Sequence, residues 1–125
     1  MIRANTNGYM QTGVVAGTPG TNWTIDAEKV RKSSEGWVSF GLTLSTTAAG
    51  SLTCYTLPSG FRPTTATIYV NGFYYDSSAS LYYPLLCTIT TAGEVGIYQV
   101  GGFVGVLIPA TGDFVYIPNV IFWNG

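Results

Sequence analysis

From Trp37 to Ser45 the chain alternates without interruption. Val38, Phe40, Leu42 and Leu44 are apolar, and Ser39, Gly41, Thr43 and Ser45 are small or polar between them. A period of two marks a strand with one face in a core and the other toward water. A helix, with 3.6 residues per turn, would scatter the same apolar set around its circumference. The segment therefore predicts β-structure here and constrains what its neighbours can be.

Upstream, Asp26, Glu28, Lys29, Arg31, Lys32 and Glu35 gather six of the chain's charges into ten residues. A short amphipathic helix capped by Asp26 competes with a charged edge strand. The strand is favoured, because Ser33-Ser34-Glu35-Gly36 reads as a turn into the alternating segment, and edge strands carry charge against unwanted pairing. Downstream, Leu52 to Thr56 alternates again and stops at Pro58, so the two strands on either side of the small, polar Thr46–Gly50 stretch are expected to pair antiparallel. Ala66 to Tyr75 is β-branched and aromatic, with Ile68 and Val70 on one face, Tyr69, Asn71 and Phe73 on the other, and a bend expected at Gly72. Leu81, Tyr83, Leu85, Cys87 and Ile89 share a face before Thr91-Ala92-Gly93-Glu94 turns the chain into Val95, Ile97 and Gln99, predicting a hairpin. Phe103 to Ile108 predicts a further short strand. Phe114 to Trp123 predicts a last one that is apolar on both faces, which needs cover from an opposite sheet or a neighbouring subunit.

These short strands, separated by turn signals and free of helical periodicity, predict an all-β fold: an antiparallel β-sandwich, of jelly-roll type if connections cross between its sheets. The 125 residues suit one domain. Residues 1–22 have no sustained period and are expected to form an N-terminal arm or linker stub, with the sandwich over residues 23–125. The five Lys and Arg, six Asp and Glu, and net charge of −1 lack the basic footprint that nucleic acid demands. Gly, Pro and Gln interrupt every long uncharged stretch, so no membrane insertion is expected. Cys54 and Cys87 are too few for a disulfide framework and are expected as free thiols in the core. No apolar leader follows Arg3, which argues for folding in a cytoplasm.

The order of features Lys29-Val30-Arg31-Lys32, a Ser/Gly turn, the Trp37–Leu44 strand, the loop Leu57-Pro58-Ser59-Gly60-Phe61-Arg62-Pro63 and the Ile89–Ile97 hairpin resembles the C-terminal head domain of bacteriophage tail-fibre and baseplate receptor-binding proteins. The likeness covers roughly residues 26–123, and its most specific element is the LPxGFRP loop. What the resemblance implies is a homotrimeric jelly-roll head at a phage tail tip, assembled in the host cytoplasm. It would be carried on an upstream fibre or baseplate shaft and recognise a bacterial cell-surface saccharide during adsorption. A structural trimerisation or capping module of the same fibre is the alternative.

In the loop, Pro58 and Pro63 end the flanking strands, Gly60 permits a tight bend, Phe61 plugs the core and Arg62 is expected to hold a carboxylate or backbone carbonyls. Tyr74, Tyr75, Asp76, Tyr82 and Tyr83 are the candidate saccharide-binding residues, since sugars stack their C–H faces on aromatic rings and bond their hydroxyls to carboxylates and amides. The sparse charge suits a neutral saccharide better than an anionic one. Catalysis finds little footing. There is no histidine for a triad, and Asp76, Glu94 and Asp113 lie singly on separate loops where a glycosidase needs a flanking pair. No enzyme activity, metal or cofactor is expected.

Overall fold

The fold comes from a computed structural model, which describes residues 9–10, 16–101 and 109–124. Among these residues nine strands form one antiparallel sheet: β1 (Tyr9–Met10), β2 (Thr18–Pro19), β3 (Trp23–Ser33), β4 (Trp37–Thr46), β5 (Thr53–Thr56), β6 (Ile68–Asp76), β7 (Leu81–Ile89), β8 (Glu94–Val100) and β9 (Phe114–Trp123). Their order across the sheet is β1-β3-β4-β9-β6-β7-β8-β5-β2. The expected Phe103–Ile108 strand lies outside the described residues.

In place of the expected sandwich of two sheets, the sheet is continuous and curls until it is nearly barrel-shaped. Register shifts between Ile25 and Ala27, Phe40 and Leu42, Thr53 and Tyr55, and Leu86 and Cys87 supply the bends, since each bulge adds local twist. Where the ends of the strand order meet, side chains close the seam. The Glu28 carboxylate of β3 accepts a hydrogen bond from the Gly17 N–H at 2.7 Å and another from the Tyr55 hydroxyl of β5. Strands β6, β7 and β8 form a meander and β9 returns beside β6, giving the spatial order β9-β6-β7-β8 of a Greek key.

Alternation decides which side chains fill the interior. Val38, Phe40, Leu42 and Leu44 of β4 are buried, and they meet Val115 and Ile117 of β9, Leu85, Cys87 and Ile89 of β7, and Val95 of β8. The charged segment is a strand, β3, which pairs along its length with β4 and only at Lys32 and Ser33 with the two-residue β1. The 33–36 turn and the β7–β8 hairpin stand where expected; Gly36 (φ 104°) and Gly93 (φ 82°) supply their left-handed positions.

Contrary to expectation, β4 and β5 do not pair: β4 lies between β3 and β9, and β5 lies between β8 and β2. The chain after Thr46 crosses the end of the barrel, tied there by hydrogen bonds from the Thr47 amide to the Asn22 carbonyl (3.0 Å) and the Gly50 amide to the Pro109 carbonyl (2.9 Å). The bulge in β5 also breaks its alternation, so that Cys54 and Tyr55 are both buried.

The 57–63 loop closes one end of the barrel. The Leu57 amide donates to the Gly93 carbonyl at 2.9 Å, Arg62 Nε to the Leu57 carbonyl at 2.8 Å, and Lys32 Nζ to the Gly60 carbonyl at 3.1 Å. Phe61 packs against the core, and Gly60 takes φ 88°. Pro58 is half-buried and Pro63 buried.

Candidate functional site

The outer face of the sheet is the unusual surface of this molecule. Phe114 and Tyr116 of β9, Phe73 and Tyr75 of β6, and Tyr82 of β7 project from it, and register sets them side by side. Phe73 lies opposite Tyr116, and Tyr75 lies between Phe114 and Tyr82. The rings make a contiguous array, with centroids 4.8 Å apart for Tyr75–Tyr82, 5.3 Å for Tyr75–Phe114 and 6.4 Å for the stacked Phe73–Tyr116 pair. Such spacings are those of favourable aromatic pairs. Between them Thr43, Phe73, Tyr82, Phe114 and Tyr116 line an open, shallow depression of about 470 Å3 whose walls are almost wholly apolar. Tyr82 is 69% exposed and Phe73 50%, so the rings present faces to solvent rather than to the core.

A buried carboxylate holds this array from beneath. Asp113, 3% exposed, sits immediately before β9. One of its oxygens, Oδ2, accepts from the Tyr74 hydroxyl at 2.5 Å and the Ala110 N–H at 3.0 Å. The other, Oδ1, accepts from the Ser77 N–H at 2.9 Å and the Ser77 hydroxyl at 2.8 Å. Burial raises the Asp113 carboxyl, but the bonds from Tyr74, Ser77 and Ala110 outweigh it and hold the group below its ordinary value, so it stays ionised. Burial first, and then the adjacent Asp113 carboxylate, pushes the Tyr74 phenol well up, which keeps it a donor. The end of β6, the 77–80 turn and the start of β9 are thus clamped together, and Tyr75, Tyr82 and Phe114 stand directly over the clamp.

Of the five candidate saccharide-binding residues, the structure brings Tyr75 and Tyr82 together on the outer face. Tyr74 points inward at 1% exposure and offers no ring face to a ligand. Tyr83 is half-buried and packs against the core. Asp76 accepts from the Ser78 amide at 3.0 Å and hydroxyl at 2.7 Å, which shapes the 77–80 turn at the rim of the array. Strand alternation separates neighbours in sequence, so a run of tyrosines cannot all face one way. Sequence reasoning does not single out Phe73, Phe114 and Tyr116. The alternation of Phe114 and Tyr116 in β9 is visible in the sequence, but their meeting with β6 depends on a strand pairing that is not.

A second apolar cluster lies on the same outer face at the far end of β9. Trp37 and Trp123 pack edge to face at 5.1 Å, with Ile121 beside them, all exposed. The two faces of β9 are therefore apolar for different reasons: the inner one fills the barrel and the outer one is uncovered.

Among the described residues no group of three or more His, Cys, Asp or Glu side chains is arranged to hold a metal ion. No protein-family model, curated protein or solved structure matches this chain.

Proposed function

We propose that this chain is a receptor-binding head domain of a bacteriophage tail fibre or baseplate. Its outer aromatic face recognises a bacterial cell-surface saccharide during adsorption. The observation that carries the reading is the solvent-facing array of Phe73, Tyr75, Tyr82, Phe114 and Tyr116, with its shallow apolar depression. Soluble proteins rarely leave so many large rings in one uncovered patch without a partner for it. Open, flat aromatic surfaces suit the C–H faces of sugar rings, while Thr43 and the tyrosine hydroxyls supply the few polar contacts that orient them.

The domain is of jelly-roll type and homotrimeric in this reading. The return of β9 beside β6 is the Greek-key connection that jelly rolls use twice, and the Trp37, Ile121 and Trp123 cluster is an apolar surface fit for contact between subunits on an upstream shaft. One shallow sugar site binds weakly, but three sites per tip and many tips per virion multiply it. Binding rather than catalysis is the role of the face: Asp113 lies beneath the rings with its oxygens occupied, Asp76 is turned into its own loop, and Glu94 stands at the β7–β8 hairpin. The Trp37 cluster also favours a second reading, a trimerisation and capping module that binds no sugar.

Adsorption competition separates the two. The purified protein is expected to label cells of a host strain and protect them from phage, with labelling abolished by cell-wall polysaccharide. Tyr82→Ala and Tyr116→Ala are expected to lower saccharide affinity by about tenfold each with little change in melting temperature. A folded trimer that labels no strain and binds no glycan would leave the capping module standing.

A further inference from the structure

A second depression, of about 440 Å3, adjoins the aromatic one on the outer face of β3, β4 and β9. Its origin is local. Between the Phe40–Val120 and Leu42–Ile117 pairs, β4 spends one residue, Gly41, where β9 spends two, Pro118 and Asn119. The Pro118 carbonyl closes so tightly on Gly41 that no side chain would fit there, and the sheet surface is left hollow. Lys29, opposite Gly41, and Arg31, opposite Ser39, wall the hollow from β3. Asn119 walls it from β9, its Oδ1 accepting from the Ser39 hydroxyl at 3.0 Å.

The charge in this trough is one-sided. The chain has five cations. Arg3 lies outside the described residues, Lys32 and Arg62 donate to the Gly60 and Leu57 carbonyls at the other loop, and Lys29 and Arg31 stand together on the trough wall. Glu28 also borders it, but its carboxylate points through the sheet to Tyr55 and Gly17 at the seam. Thr43 and Tyr116 line both depressions, so the aromatic platform runs into the cationic trough without a break. From the β3 wall to Tyr116 is two strand spacings, about 10 Å, a span that a disaccharide covers.

From this geometry we infer that Lys29 and Arg31 form an anion subsite of the saccharide groove, and that the ligand carries a carboxylate or phosphate on the sugar next to the one stacked on Tyr116. The inference rests on the saccharide reading and deepens it. It departs from the neutral ligand that sparse overall charge suggests, because the fold concentrates two of few cations where the net count is uninformative. An arginine paired with a lysine suits such a ligand, since the guanidinium engages two anion oxygens side by side while the ammonium adds a point charge.

Titration of the full chain with polygalacturonate and with its fully methyl-esterified form compares one backbone with and without charge, and poly(glycerol phosphate) carrying glycosyl substituents supplies the phosphate arm. The charged polymers are expected to bind about tenfold more tightly than the esterified one, with the advantage lost at high salt and in the Lys29→Gln/Arg31→Gln double variant. Both residues are exposed, so that variant should melt with the wild type. Preference for one charged polymer identifies the anion. Equal binding of charged and esterified polymers, or an unchanged preference in the double variant, would overturn the anion subsite while leaving the aromatic platform intact. No binding to any saccharide would remove both, and Tyr116→Ala, which should weaken all polymers alike, distinguishes loss of the platform from loss of the subsite.

Discussion

Replacing Asp113 by asparagine tests whether the clamp beneath the aromatic array is an ionised acceptor. Four donors converge on its two oxygens, and a carboxylate is acceptor-only at both. An asparagine amide must aim its NH2 at one pair. The less costly orientation faces Ser77, whose hydroxyl can accept from the amide while it donates its single proton to the Thr111 carbonyl, 3.0 Å away. The Ser77 N–H then loses its acceptor, and the bonds from Tyr74 and Ala110 fall from charge-assisted to neutral strength. One lost charged bond plus two weakened ones amounts to about 2 to 3 kcal/mol, or roughly 10 °C in melting temperature for a chain of this size. Asp113→Ala strands the buried Tyr74 hydroxyl as well and should cost about 4 kcal/mol. Tyr74→Phe leaves three donors in place and should cost about 1 kcal/mol.

The pH dependence has a definite sign. The folded-state value of Asp113 lies below the unfolded one. Its contribution is therefore fully present above the unfolded value, about 3.9, and is lost as pH falls through the lower folded value. Thermal melts of wild type and Asp113→Asn should differ by a constant amount from neutral pH down to about pH 5, and the gap should close below about pH 4. An asparagine variant within about 0.5 kcal/mol of wild type at neutral pH, or a gap unchanged in acid, would refute an ionised clamp.

Three further outcomes are expected. Gly93→Ala should cost about 2 to 3 kcal/mol and Gly60→Ala about 1 kcal/mol by urea midpoint. Both glycines have positive φ, but only at Gly93 would the added carbon meet a neighbour, Arg62 Nε at 2.6 Å, which the Leu57 carbonyl holds in place; equal losses would mean that Arg62 yields freely. Cys54 and Cys87 are free and buried, and burial pushes the Cys54 thiol up to about 12 and raises Cys87 as well, so neither should react with a thiol reagent faster than the protein unfolds, whereas rapid labelling of the native protein would contradict core placement. Sedimentation should give a trimer that Ile121→Asp converts to a folded monomer, and a wild-type monomer at micromolar concentration would contradict assembly through that cluster.

How much of the fold is legible in the chain follows from where each piece of information resides. β4 can be read from nine letters, because alternation is a property of consecutive residues and any strand with one buried face must display it. The β7–β8 hairpin is equally local: Thr90 to Glu94 contains the glycine and the hydrogen-bonding threonine that the turn requires. The charged β3 is legible as a strand because the turn that follows it is local, but the edge position expected for it is taken by the two-residue β1.

Partner choice is not local. β4 and β5 are neighbours in the chain and both show an alternating letter pattern, which a bulge breaks in β5, yet the sheet places β9, β6, β7 and β8 between them, because burying every inner face at once outweighs pairing the nearest segments. The candidate site shares that fate. Tyr74, Tyr75, Tyr82 and Tyr83 announce aromatic chemistry, but alternation sends Tyr74 to Asp113 and Tyr83 toward the core. The neighbours of Tyr75 and Phe73 across the β6–β9 pairing, Phe114 and Tyr116, come from the far end of the chain. Strand identity, the inner and outer sets and the closing loop depend on residues a few positions apart, and so the bare chain already carries them. Which outer sets lie side by side depends on long-range pairing and on the bulges that curl the sheet, and this emerges only once the whole sheet has formed.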